Sequence, residues 1–237
     1  MNLAQAIAQL YMAFADVPKP VTLDGCPCCT DPAHLHRMVS TPLRLLTVDD
    51  LAKYGVKATT TIGDGRDYLY FLPRLLEAVS AEVIGCDAEI ILGRLRSGGC
   101  PLTVQQHEAV SDFLHAWWAE LLTSEDNVCF KVNAVLTSVH LFGEPWASFL
   151  REWDTAPLPQ AIHQLAWFIK SDVHAMDDVR QFNAFLDTAA EQELAALRSW
   201  LLRPEIARRL EVAFFADPDG PVAQDISDAL LYLGNPS

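Results

Sequence analysis

Apolar residues recur three and four positions apart along most of this chain, the spacing that gives an α-helix one buried face. The first segment is the simplest example, with apolar or small side chains at Leu3, Ala6, Ile7, Leu10, Tyr11 and Phe14. A strand needs alternation instead, and the β-branched stretch 59–62 is an extended piece too short to imply a sheet. The pattern therefore predicts an all-α protein.

Prolines, glycines and capping residues divide the chain into helices of ordinary length. Val17-Pro18-Lys19-Pro20 ends the first helix, because proline lacks the N–H that would continue it. Asp31, Thr47 and Thr103 are typical N-caps, and Pro73 forces a kink or a fresh start within its helix. The later helices are predicted over residues 47–57, 67–82, 87–97, 103–123, 128–142, 145–153, 159–170, 179–187, 189–202, 204–215 and 221–233.

The connections between these helices are short, which makes consecutive helices antiparallel neighbours. We therefore expect an irregular multi-helix bundle of packed helical hairpins, forming a single domain over residues 1–237. A solenoid-like stack is the alternative, although no residue pattern repeats at a fixed period. If the chain has two subdomains, residues 98–101 (Gly-Gly-Cys-Pro) are the candidate boundary.

Acidic residues outnumber basic ones by 31 to 17, which gives a formal net charge of −14. A negative surface repels phosphate backbones and anionic lipid, so we expect no nucleic-acid partner and no membrane partner. It suits a basic protein partner, or it is simply a solvated acidic coat. The N-terminus lacks a basic segment and no apolar run approaches the ~18 residues of a membrane span, so we expect a cytoplasmic protein.

The densest cluster of reactive side chains lies in the loop Gly-Cys-Pro-Cys-Cys-Thr-Asp-Pro-Ala-His-Leu-His at residues 25–36. Cys26 and Cys29 form a C-x-x-C pair, a spacing that lets two sulfurs converge on one metal ion. Thiolate and imidazole are the ligands that tetrahedral zinc prefers. We therefore predict a structural zinc ion, with ligands drawn from Cys26, Cys28, Cys29, His34 and His36.

Two other interpretations of this loop stay open. One is a redox role, because the motif precedes a proline-started helix whose N-terminus would lower a thiol pKa. No strand precedes the motif, however, as a thioredoxin-like fold would require. The other is a set of thiols without a role. A second C-x-x-C is absent from the sequence, and the spatial pairing of Cys86, Cys100 and Cys129 is not determined by their positions.

Two further polar clusters have simpler interpretations. Glu108, Asp112 and His115 share one face of a predicted helix whose opposite face is apolar, so they lie on the solvent face rather than in a di-metal site. The aspartates in residues 172–178, with His174 among them, lie at a helix junction where carboxylates cap the next helix. The familiar motifs of serine hydrolases, zinc proteases and P-loop enzymes do not occur in the sequence.

The tryptophans are the best candidates for a protein-binding surface. Most of them stand among leucine, alanine and phenylalanine, which predicts a core position. Trp117 and Trp118 are adjacent, so on a helix they point about 100° apart. We therefore expect one of these two rings at the edge of the core, where it is available to a protein partner as a binding hot spot.

The segment 41–77 contains the runs Thr-Pro-Leu-Arg-Leu-Leu-Thr-Val-Asp-Asp, Thr-Thr-Thr-Ile-Gly-Asp and Asp-Tyr-Leu-Tyr-Phe-Leu-Pro-Arg-Leu-Leu-Glu. In these runs the chain resembles a group of bacterial cytosolic proteins that carry a cysteine-containing N-terminal loop followed by helices. The likeness covers roughly residues 26–80. It implies a bacterial source and a helical fold, and no activity is assigned to the group.

These observations lead to two functional predictions of different classes. The first is a non-catalytic protein-binding module, most concretely an acidic inhibitor or immunity-type protein whose charge speeds association with a basic partner. The alternative is a metal- or thiol-dependent enzyme centred on the loop that runs from Cys26–Cys29 to His34–His36. A helical scaffold or regulatory subunit is a third interpretation.

Overall fold

The structure is a computed structural model, and it describes residues 1–81, 87–97, 99, 101–124, 131–156, 159–173, 176 and 178–234. Within these residues it contains thirteen α-helices and no β-strand, so the all-α prediction is confirmed. None of the described helices is both long and apolar enough to cross a bilayer.

The helices follow one another with short connections. They are α1 (Leu3–Ala13), α2 (Pro32–Ser40), α3 (Val48–Lys57), α4 (Gly65–Ser80), α5 (Ala88–Ser97), α6 (Val104–Thr123), α7 (Lys131–Phe142), α8 (Trp146–Thr155), α9 (Pro159–Asp172), α10 (Val179–Phe182), α11 (Glu191–Leu201), α12 (Pro204–Ala216) and α13 (Ala223–Gly234). Short 3₁₀ turns lie at Leu43–Leu45 and Thr188–Ala190.

The chain divides into two compact units, Met1–Trp117 and Trp118–Ser237. The division falls within α6 rather than at residues 98–101, of which Gly98 and Cys100 lie outside the described residues. The single domain over residues 1–237 stays a prediction.

The first unit is organised around α4, which packs against α1, α3 and α5. Its core is aromatic, because Tyr54 of α3 lies between Tyr68 and Phe71 of α4, with ring centroids 6.5 and 4.6 Å away. The Tyr68 hydroxyl donates to the carbonyl oxygen of Ile91 at 2.7 Å, which satisfies a polar group inside the core. Helices α3 and α4 are therefore held closely together, and the connection between them supports the loop described below.

Helix α4 begins two residues earlier than predicted and passes through its proline without restarting. Asp64 is the N-cap, and its carboxylate accepts hydrogen bonds from the backbone N–H groups of Arg66 and Asp67. Pro73 lies inside the helix and is buried. Only the helical hydrogen bond that its missing N–H would donate is lost, and burial of the apolar face keeps the helix continuous.

The second unit has an aromatic core centred on Trp153 of α8. This side chain is fully buried, with ring centroids 5.3 Å from Trp118, 5.4 Å from Trp200 and 5.8 Å from Phe168. Its indole N–H donates to the Ala161 carbonyl oxygen at 3.0 Å. Around this core α9 packs against α7, α12 and α13, while α8 packs against α7 and α11.

The expectation of an exposed ring at Trp117 or Trp118 is wrong. Trp117 is 6 % exposed and Trp118 is fully buried. The Trp118 indole N–H also donates to the Phe149 carbonyl oxygen at 2.9 Å. Although the two rings do point in different directions from α6, both directions lead into apolar surroundings, and neither ring is available as a hot spot.

The predicted helix over residues 179–187 is too long, since α10 ends at Phe182. The next residue, Asn183, donates through its side chain to the Asn133 amide oxygen at 2.9 Å and accepts from the Phe185 N–H at 3.0 Å. These bonds hold the chain out of helical geometry. The capping interpretation is confirmed at Asp178, which accepts from two N–H groups of α10, while His174 and Asp177 lie outside the described residues.

Candidate functional site

The cysteine loop is pinned to the connection between α3 and α4. The Cys26 N–H donates to the Thr61 carbonyl oxygen at 2.9 Å, and the Gly63 N–H donates to the Asp24 carbonyl oxygen at 2.8 Å. These bonds surround an isolated antiparallel bridge between Gly25 and Ile62. The β-branched stretch predicted as an extended piece therefore supports the loop, which is held in place by backbone bonds alone.

A tight turn within the loop brings the cysteines together. The N–H groups of Cys29 and Thr30 donate to the Cys26 carbonyl oxygen at 3.1 and 3.0 Å, and the Thr30 hydroxyl donates to the same oxygen at 2.7 Å. Gly25 allows this packing, because a Cβ at that position would lie only 2.7 Å from both Leu35 Cδ1 and Thr30 Oγ1. The turn directs the sulfurs of the C-x-x-C pair to the same side.

The sulfurs of Cys26, Cys28 and Cys29 form one group, which we call the thiol cluster. Cys26 Sγ lies 2.9 Å from Cys28 Sγ, Cys28 Sγ lies 3.7 Å from Cys29 Sγ, and all three atoms lie within 4.8 Å of one another. None of the three is in a disulfide; Cys28 and Cys29 are exposed and Cys26 is half-buried. The cluster is therefore open to solvent and to ions.

The three thiols do not ionise alike. The pKa of Cys26 is lowered to about 7, because the Cys28 thiol and the backbone N–H groups of Cys28 and Cys29 donate to its sulfur. The pKa of Cys29 is raised to about 11, because its thiol hydrogen-bonds to Cys26 and Cys28. The Lys57 ammonium donates to the Cys29 carbonyl oxygen and brings a positive charge to the turn. A thiolate therefore forms first at Cys26.

Neither predicted histidine belongs to the cluster. His34 is buried, and its Nε2 lies 3.0 Å from the Asp50 carbonyl oxygen, so it connects α2 to α3. His36 is exposed. The reason is the helical period: α2 buries His34 and Met38, four residues apart, and turns the residue between them to the opposite face. Of the five predicted ligands, the structure brings together the three cysteines.

Asp50 completes the contact between α2 and α3. It accepts from the Thr47 hydroxyl at 2.7 Å and from Arg37 Nε at 3.2 Å. Burial by itself would raise the pKa of Asp50, but the hydrogen bonds from Thr47 and Arg37 outweigh it, so the pKa is lowered. Because the folded pKa lies below the unfolded value, the Asp50 carboxylate stabilises the fold above the unfolded pKa and loses this effect in acid.

We expect Asp50→Asn to lower the free energy of unfolding by about 1–3 kcal/mol at pH 7, since Arg37 loses a charged acceptor. The difference from the wild type should shrink as the pH falls below the ordinary aspartate pKa of about 3.9. Urea denaturation followed by circular dichroism over this pH range measures both effects. Asp49→Asn, at the exposed neighbouring position, is the matched control. A deficit of Asp50→Asn that does not change with pH would contradict the assignment.

The other polar clusters take no part in the site. Glu108 and Asp112 of α6 are exposed and His115 is half-buried, while Val110 and Phe113 are buried. Their assignment to the solvent face of the helix is confirmed. Cys86, Cys100 and Cys129 lie outside the described residues, so their approach to the thiol cluster stays untested.

The site contains one group that sequence reasoning missed, the Lys57 ammonium at the turn. Lys57 lies 28 residues beyond Cys29 in the sequence and approaches it only because α3 ends beside the loop. No local motif signals such a contact. The β-branched stretch 59–62 was the only indication that this connection has an extended shape.

Comparison of the chain with protein-family models, with curated proteins and with solved structures finds no match. The resemblance over residues 26–80 gains no support from these comparisons. The functional assignment of this protein therefore rests on the chemistry of its own side chains.

Proposed function

We propose that this protein binds a thiophilic metal ion through Cys26, Cys28 and Cys29. The observation that carries the proposal is the convergence of three sulfurs within 4.8 Å on an exposed turn. Soft thiolate ligands select ions such as zinc and copper(I) over hard cations. The two N–H groups that donate to the Cys26 sulfur act as outer-shell partners, which orient a ligand and tune the ion it holds.

The coordination differs from that of a closed structural zinc. Such a site uses four protein ligands and contributes folding energy outright, whereas the described residues supply three sulfurs here. The loop is already held by backbone bonds, such as the one from Cys26 to Thr61. We therefore expect the metal-free protein to keep its helices, and a bound ion to keep a coordination position for water or an incoming ligand.

Cadmium titration of the reduced, metal-free protein tests this proposal. We expect one ion per chain, reported by the ultraviolet charge-transfer absorption of cadmium–thiolate bonds, while the helical circular-dichroism signal changes little. A variant with serine at positions 86, 100 and 129 should bind equally, since the cluster does not use those cysteines. Absence of the absorption band at one equivalent would contradict metal binding. Loss of the helical signal on metal removal would contradict the open site.

The acidic binding module is a second candidate function, and one observation favours it. Val212 and Phe215, three positions apart on α12, are 66 % and 77 % exposed, so they offer apolar surface on a chain of net charge −14. A tagged pull-down at low and moderate salt tests this candidate. We expect one basic protein in near-equal amount, weakened by salt and by Phe215→Ser. Capture that ignores both changes would contradict it.

A further inference from the structure

Two sulfurs of the thiol cluster lie closer together than the rest of the group. Cys26 Sγ is 2.9 Å from Cys28 Sγ, against 3.7 Å between Cys28 Sγ and Cys29 Sγ. A covalent S–S bond is about 2.05 Å long, so a small movement of exposed side chains on the turn brings the first pair to bonding distance. Both residues are at least partly accessible to solvent, which lets a small molecule reach them.

We propose that the metal-free thiol cluster exchanges with low-molecular-weight disulfides and closes a reversible disulfide between Cys26 and Cys28. This activity goes beyond metal binding and needs two of the three sulfurs. The substrate is a small disulfide, written RSSR, which is the oxidant. The protein dithiol is the reductant.

The exchange proceeds in two displacements. The Cys26 thiolate attacks one sulfur of RSSR, the S–S bond breaks, RS⁻ leaves, and a mixed disulfide forms between Cys26 and R. The Cys28 thiolate then attacks the Cys26 sulfur and displaces the second RS⁻. The two protons lost by the protein thiols convert the two RS⁻ ions to RSH. The protein thus loses two hydrogen atoms, and RSSR becomes two molecules of RSH.

The positions of the groups assign the two roles. The backbone N–H groups of Cys28 and Cys29 point at the Cys26 sulfur, so Cys26 is oriented within the turn while the exposed Cys28 is its nearest sulfur neighbour. A disulfide between residues two apart closes a very short ring, and strained disulfides are the easily reduced kind. Excess thiol therefore returns the pair to the reduced state.

Oxidised glutathione, added to the reduced full-length chain with chelator present, tests the exchange. Intact mass and peptide mapping after alkylation should show loss of two hydrogens, with Cys26 linked to Cys28. Cys28→Ser should accumulate glutathione on Cys26, with closure at least about tenfold slower because the nearest sulfur is gone. Cys26→Ser should slow the reaction of Cys28 by a similar factor.

Cys29→Ser separates this activity from metal binding. The variant should still close the Cys26–Cys28 disulfide while it loses cadmium binding, so either proposal can fail alone. Closure that requires Cys29, a stable mixed disulfide in the wild type, or wild-type closure rates in Cys28→Ser would each overturn the inference.

Discussion

Cys26→Ser is expected to weaken cadmium binding by more than about 100-fold, because even loss of an outer-shell partner costs a metal site about 10–100-fold in affinity. Cys26 is a sulfur ligand itself, and it is also the sulfur to which the N–H groups of Cys28 and Cys29 donate. Its replacement removes one of three ligands and leaves both amides without their acceptor. Competition against a chelator of known affinity measures the change.

Histidine variants are the controls for this result. His36→Gln should leave cadmium affinity within about twofold of the wild type, since an exposed imidazole outside the cluster contributes no metal bond. His34→Gln should lower stability instead, because the His34 ring is buried against α3 and hydrogen-bonded to Asp50. A loss of cadmium affinity in His36→Gln comparable to that in Cys26→Ser would show that the imidazole is a ligand after all.

Trp153→Ala is expected to lower the free energy of unfolding by about 3–5 kcal/mol, the range for large aromatic truncations in a core. The side chain is fully buried, and three aromatic rings lie within 6 Å of its centroid. Truncation would leave a cavity between these rings and would free the Ala161 carbonyl oxygen from its indole donor. Urea denaturation followed by far-ultraviolet circular dichroism measures the loss.

Trp167→Ala is the matched control for this prediction. Trp167 is half-buried on α9, where Lys170 lies 5.9 Å above its ring. Such a contact is worth about 0.5–1 kcal/mol at an exposed site, so the variant should lose far less stability than Trp153→Ala. Equal losses in the two variants would contradict the assignment of Trp153 to the centre of the second core.

Local chemistry explains why most helices could be predicted. The N-cap of α3 at Thr47 and that of α6 at Thr103 satisfy N–H groups three residues ahead of them, and this geometry is contained in four residues of sequence. Asp31 and Pro32 start α2 in the same way. By contrast, α10 ended early because Asn183 bonds to Asn133, 50 residues away. No local pattern contains that partner.

The candidate site divides along the same line. The C-x-x-C spacing and the neighbouring Cys28 were enough to predict that sulfurs would converge, because a tight turn needs only six residues. The histidines were a different matter, since their nearness in sequence said nothing about which face of α2 would be buried. Packing of α2 on α3 decided this by taking His34 into the contact with Asp50.

By itself, the sequence determined the helical class, most helix ends and the existence of the thiol cluster, because each depends on interactions between residues a few positions apart. Only the tertiary structure decided that both Trp117 and Trp118 are buried, that α3 places Lys57 at the cysteine turn, and that the imidazoles stay out of the cluster. These features depend on contacts between segments distant in sequence, and the free energy of burying apolar surface, which is not directional, selects those contacts only when the whole chain packs.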